Sequence, residues 1–148
     1  MKISAKGRYG LAAMSYIAQN YRTGSPITII SIAEKLGISK IYLEQVFSLL
    51  KRAGLVTSIK GAQGGYQLVQ PPAAITVYDI LGAIELALVE KAEDTVKEQA
   101  PALDKALQQA VFEVIDSTLQ EKLQAISLQD ILNEAEKQKS AGDFMYFI

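Results

Sequence analysis

Residues Ser31–Leu68, SIAEKLGISKIYLEQVFSLLKRAGLVTSIKGAQGGYQL, decide the fold. Ser31 and Glu34 form an S-x-x-E pattern ahead of Ile32, Ala33 and Leu36, which predicts a short helix with a capping box at Ser31. Gly37 follows where a helix C-terminus favours a left-handed residue. Ser39 is placed to cap a second helix whose apolar positions, Leu43, Val46, Phe47, Leu50 and Ala53, recur every three or four residues. The opposite face carries Lys40, Tyr42, Glu44, Gln45, Ser48 and Lys51, a set able to contact phosphates and base edges. Strand-like residues Leu55–Ile59 and Tyr66–Val69 then flank Lys60-Gly61-Ala62-Gln63-Gly64-Gly65. Helix, turn, helix, strand, Gly-rich turn and strand, in that order, are those of a winged helix-turn-helix. The chain is expected to be mainly α with a small β wing and a long dimerisation helix.

Two other readings of the stretch are weaker. A plain helical hairpin in a core explains the two helices but not the hairpin behind them. A phosphate-binding loop needs a G-K-[ST] ending and a helix after it, and the chain continues into a strand instead.

Charge is divided along the chain. Met1–Gln70 holds nine Lys and Arg against two Asp and Glu, a balance of +7, whereas Pro71–Ile148 holds six against fourteen, a balance of −8. The overall charge of −1 conceals this. A polyanion is attracted to the basic half, and each neutralised phosphate releases counterions. Ser4 is placed to cap a helix running to about Asn20, with Lys2, Lys6 and Arg8 at the end where the helix dipole favours an anion. Ile27–Ile30 has the character of a short third strand beside the wing.

Composition excludes several functions. The 148 residues contain no Cys and no His, which removes disulfides, Cys/His zinc sites, thiolate-held iron–sulfur clusters, cysteine nucleophiles and histidine bases. The acidic residues of the second half are spread at helical spacings, as on a solvated face, so no catalytic role and no metal site is expected. No apolar run is long enough to span a membrane, and MKISAKGRYGLAAM lacks a secretory apolar core, so a cytoplasmic location is expected.

Beyond the wing, Pro71-Pro72 breaks the strand and Thr76–Asp79 gives a T-x-x-D cap for a helix to about Leu86. A long helix is predicted from about Pro101 to Ala125, with Leu103, Leu107, Val111, Val114, Ile115, Leu119 and Leu123 along one face. Its length of roughly 35 Å exceeds what a small winged domain covers, and the simplest use is a helix pair between two subunits. Ser127 and Asp130 restart a helix to about Lys137, with Ser140-Ala141-Gly142 ending helical order. The chain closes on Met145, Tyr146, Phe147 and Ile148, for which two uses stand open. The segment folds back onto its own protein, or it presents Ile148 and a free carboxylate to a partner pocket. The expected organisation is a DNA-binding domain at 1–83, a linker and dimerisation helix at 84–126, and a C-terminal helix with an apolar tail at 127–148.

Three separated stretches, KGRYGL, IYLEQVFSLLKRAGLV and SIKGAQGGYQL, resemble the Rrf-two family of bacterial winged-helix transcription regulators over roughly the first 83 residues. The resemblance implies a homodimeric repressor on an imperfect palindrome of double-stranded DNA. The helix from Ile41 to about Ala53 would lie in the major groove and each wing in a flanking minor groove. Ser39, Lys40, Tyr42, Glu44, Gln45 and Lys51 would then serve the reading helix, and Lys60, Gly61 and Gln63 the wing tip. Lys60 stands where a wing arginine is common in the family, which implies weaker minor-groove insertion. Several members carry a cluster-binding loop with three cysteines. The corresponding stretch here, Leu88–Asp94, has none, which excludes the iron–sulfur branch. The closing tail resembles that of family members controlling cysteine metabolism through cysteine synthase, and implies that enzyme as a partner. Two alternatives are a regulator gated directly by a small molecule and a winged-helix module that binds protein.

Overall fold

Ser4 starts the first helix by accepting the Gly7 N–H on its hydroxyl at 3.2 Å, and α1 runs Ala5–Gln19. The structure, a computed structural model, describes residues 2–146, with side chains through residue 142. A short 3-10 turn, Tyr21–Thr23, leads to Ile27, which pairs with Tyr66 through two backbone hydrogen bonds of 2.9 and 2.7 Å. That single bridge replaces the strand expected over Ile27–Ile30. Helix α2, Ile29–Leu36, begins directly after it.

The cap of α2 also differs from expectation. Thr28, not Ser31, is the N-cap: its hydroxyl accepts the Ser31 N–H at 3.1 Å, and the Ser31 hydroxyl donates back to the Thr28 carbonyl. The bridge at Ile27 fixes the chain one residue earlier, so the helix starts at the first residue free to turn. Gly37 ends α2 at φ +67°, and the Ser39 hydroxyl accepts the Tyr42 N–H at 3.1 Å to open α3, Lys40–Arg52. Leu43, Val46, Phe47 and Leu50 are fully buried. Ala53, expected on the same face, is an exposed C-cap because the helix has ended.

Strands β1, Val56–Ile59, and β2, Gly65–Leu68, form the antiparallel wing with Val56 opposite Leu68 and Ile59 opposite Gly65. Gly65 is required there: at φ +147° it lies against the Ile27 backbone, and a Cβ would come 2.5 Å from the Ile27 carbonyl oxygen. Phe47 stacks on Tyr66 with ring centres 4.6 Å apart, joining α3 to the wing.

Thr76 and Asp79 form the expected reciprocal cap of α4, Val77–Ile84. The helix stops at Glu85, where the backbone leaves helical angles, and a separate turn, α5, Leu86–Val89, follows. The helix expected to be continuous from Pro101 to Ala125 is α6, Pro101–Leu107, one turn of π-helix, Gln108–Phe112, and α7, Glu113–Gln124. Helix α8 starts with a second reciprocal cap, Ser127 with Asp130. It runs Leu128–Tyr146, past the expected end at Lys137 and through Gly142. One glycine costs only about 1 kcal/mol in a helix interior, and Gly142 takes no positive φ. The side chains of Met145 and Tyr146, and all of Phe147 and Ile148, lie outside the described residues.

One core joins these elements. Met14 and Ile17 of α1, Ile32 of α2, the inward face of α3, Val56, Leu68, Ile75 and Ile80 meet there. Leu128, at the start of α8, is fully buried in the same cluster, with Ile131 and Leu132 packed against it. A backbone bridge between Thr76 and Ser127 sets the two capped helix starts side by side.

Candidate nucleic-acid interface

Helix α3 presents a polar face because its apolar residues are committed to the core. Lys40, Glu44, Gln45, Ser48, Lys51 and Arg52 are exposed along α3. Ser39 is occupied as the cap. Lys40 and Glu44 approach to 3.9 Å with both side chains more than half exposed, a pair of little energetic weight that leaves both groups accessible. Tyr42 is half-buried and meets Tyr9 edge to face, with ring centres 5.1 Å apart. This contact sets the second turn of α1 against the first turn of α3, so the basic N-terminal part of α1 stands near the start of α3. Lys2 and Arg8 are exposed, whereas Lys6 is half-buried.

The wing is tied to the same surface. Lys51 donates to the Ser58 hydroxyl on β1 at 2.9 Å, and Gln67 donates to the Gly24 carbonyl at 2.6 Å. Lys51 therefore orients the wing as well as carrying charge. Lys60, Gly61 and Gln63 are exposed at the turn, where Gly61 takes φ +107° and its carbonyl accepts the Gly64 N–H. The arrangement offers cations from α1, α3 and the wing, with amide and carboxylate groups of Gln45 and Glu44 between them. Such a surface has the groups that phosphates and base edges call for.

Three residues escaped the sequence reading. Ile41 is 71 % exposed at the second position of α3. The signal was available, since Ile41 lies off the Leu43–Leu50 stripe. Glu85 reaches back to the Ser4 N–H, and no local pattern announces that contact. Asp104 is buried and accepts the N–H groups of Thr95 and Val96 at 2.8 Å each, fixing the segment between α5 and α6. The hydrogen bonds from Val96 and then Thr95 hold its carboxyl below the usual carboxylate range, against the opposing effect of burial and with help from Lys97.

The proposed dimerisation residues divide. Leu103, Val111, Val114 and Ile115 are exposed, while Leu107 and Leu119 are half-buried. The π turn between Leu107 and Val114 shifts the phase of the stripe relative to a uniform helix.

Residues 3–134 match the model of the Rrf2 (Rrf-two) family, described as an iron-dependent transcriptional regulator. The HTH-type transcriptional regulator CymR of Bacillus subtilis is 40% identical, with 100% of both chains covered. The HTH-type transcriptional regulator IscR of Klebsiella pneumoniae is 35% identical over 92% of this chain and 82% of that protein. Among solved structures, T. potens IscR superposes with a TM-score of 0.73 at 38% identity, covering 99% of this chain and 96% of that one. The structure of CymR, the global cysteine regulator of B. subtilis, gives 0.72 at 36% identity, covering 90% of this chain and 98% of that one.

The iron of the family description finds no fitting donors here. The sequence has no Cys or His, and the described residues contain no grouping of three or more acidic side chains suited to a metal ion. Asp104, the one buried carboxylate among the described residues, accepts two backbone N–H groups on Oδ1. Also among the described residues, no helix is long and apolar enough to cross a membrane. With the winged fold, the family match and relatives that are transcriptional regulators in agreement, this chain is not an enzyme: it belongs to the Rrf2 family of transcriptional regulators.

Proposed function

We propose that this protein is a cytoplasmic, homodimeric repressor of cysteine and sulfur metabolism that binds an imperfect DNA palindrome and is governed by complex formation with cysteine synthase. The observation that carries the DNA-binding part is the shared basic surface of α1, α3 and the wing, built by Tyr9–Tyr42 and Lys51–Ser58. In this reading α3 enters the major groove, with Lys40, Tyr42, Glu44, Gln45 and Lys51 at bases or backbone. Lys60, Gly61 and Gln63 meet the minor groove, and Lys2, Lys6 and Arg8 take phosphates. Residues 1–83 form the DNA-binding domain, 84–126 the linker and dimerisation helix, and 127–148 the C-terminal helix and tail. The exposed stripe on α6 and α7 supports a dimer, which presents two reading helices about one DNA turn apart.

The cysteine reading is supported by 40% identity over the full length to CymR, the global cysteine regulator of B. subtilis. Met145, Tyr146, Phe147 and Ile148 are then the segment offered to cysteine synthase, with the terminal carboxylate in the place of the amino-acid substrate. The test is the affinity of cysteine synthase for the full chain and for a version lacking Ile148, with and without O-acetylserine. Tight binding that needs Ile148 and yields to O-acetylserine is expected, since tail and substrate must weaken each other equally. Simultaneous, independent binding overturns this mechanism.

A second reading has an observation of its own. A cavity of about 340 Å³ lies between α4–α5 and α7, lined by Tyr78, Val89, Lys91, Asp94, Asp116 and Ser117 among others. If it takes a small effector, that molecule raises the melting temperature of the protein alone, with no enzyme present.

A further inference from the structure

Ile41 is the most exposed large apolar side chain among the described residues. It has no place in the inward face of α3, which Leu43, Val46, Phe47 and Leu50 fill completely. Ile41 stands two positions from Leu43, about 200° around the helix. Spacings of four, three and four instead place it on one stripe with Gln45, Ser48 and Arg52, all exposed. That stripe begins in the first turn of α3, the part of a reading helix that meets base edges. Lys40 shares the turn, and the Tyr9–Tyr42 contact brings the basic start of α1 alongside. An aliphatic group in so electropositive a setting has no function in phosphate binding.

We infer that Ile41 is a specificity-determining residue that reads the C5-methyl group of a thymine in each half-site, with Gln45 taking an adjacent adenine. The inference rests on α3 lying in the major groove as proposed above. An isoleucine can neither donate nor accept a hydrogen bond, and the thymine methyl is the apolar feature that base edges present in that groove. Branching at Cβ keeps the side chain stiff, so little freedom is lost on contact. Gln45, one turn further along the same stripe, carries the donor and acceptor that match adenine N6 and N7.

The test begins by selecting binding sites from a randomised DNA library with the full-length protein. Each thymine of the selected duplex is then replaced singly by deoxyuridine, which removes only the methyl group. For the unaltered protein, replacement at one position per half-site is expected to weaken binding about fourfold, the loss of one buried methyl. Ile41→Ser, whose melting temperature should be unchanged at so exposed a site, is expected to be indifferent to that replacement while keeping its salt dependence. Indifference of the unaltered protein to every replacement, or an equal loss in Ile41→Ser, overturns the role of Ile41 and leaves DNA binding standing. Recovery of no preferred sequence overturns both readings.

Discussion

The carboxylate of Glu85 accepts the backbone N–H of Ser4 at 2.7 Å, joining the last residue before α5 to the first turn of the chain. Gly7 leaves the room for it, since a side chain at that position would collide with the Glu85 carboxylate. The basic start of α1 is therefore held by the element that leads on to α5 and α6.

Two substitutions test that link. Glu85→Ala should cost about 1 kcal/mol of stability, the scale of a helix N-terminal hydrogen bond, and should weaken DNA binding by loosening Lys2, Lys6 and Arg8. Gly7→Ala should cost about 1–3 kcal/mol through crowding, seen as a lower urea midpoint. Unchanged midpoints for both would remove the link.

Asp104 predicts a pH signature. Its folded-state carboxyl titrates below the ordinary value of 3.8, so its contribution to stability is fully present above that value and is lost as pH falls through the lowered one. Asp104→Asn should melt below the unaltered protein at pH 7 and at pH 5 alike, and the gap should close only in stronger acid. Melting curves across pH read this directly. A gap that closes already near neutrality would mean that another group is responsible.

The exposed apolar stripe predicts an oligomeric change. Val114→Glu combined with Ile115→Glu places two charges where each side chain is about half exposed. The chain should keep its helicity, sediment at the monomer mass and lose most of its affinity for a palindromic site. A variant that remains dimeric would move the interface elsewhere.

Lys60 predicts a change in salt dependence. If it contacts one phosphate per subunit, Lys60→Ala should lower the slope of log K against log salt by about 1 per subunit, with sequence preference retained. Titrations at several salt concentrations measure both quantities.

The parts that were legible in the sequence are those fixed by neighbours in the chain. Ser39, Gly37, Thr76 with Asp79, and the buried stripe of α3 act over three or four residues, and the structure follows them. Thr28 and Ser31 are equivalent as local caps, and the choice between them is made by Tyr66, far along the chain. Asp104 has the same sequence context as the solvated acids around it; only the approach of Thr95 and Val96 sets it apart. The π turn at Gln108–Phe112 depends on a shift of hydrogen-bond partners that no residue type encodes. At the candidate interface, the cations and Gln45 are readable as surface chemistry, and Ile41 is marked only by lying off the Leu43–Leu50 stripe.

The bridge between Thr76 and Ser127 has a thermodynamic consequence. The stretch from α4 to α7 begins and ends at one pair of adjacent backbones, with α4 itself packed in the core through Ile80. With the two ends of that excursion held together, a change in the length of its irregular part alters the closure entropy only logarithmically, about 0.6 kcal/mol per doubling. The segment between α5 and α6 can thus exchange what holds it in place, here the carboxylate of Asp104, without disturbing the basic surface of α1, α3 and the wing.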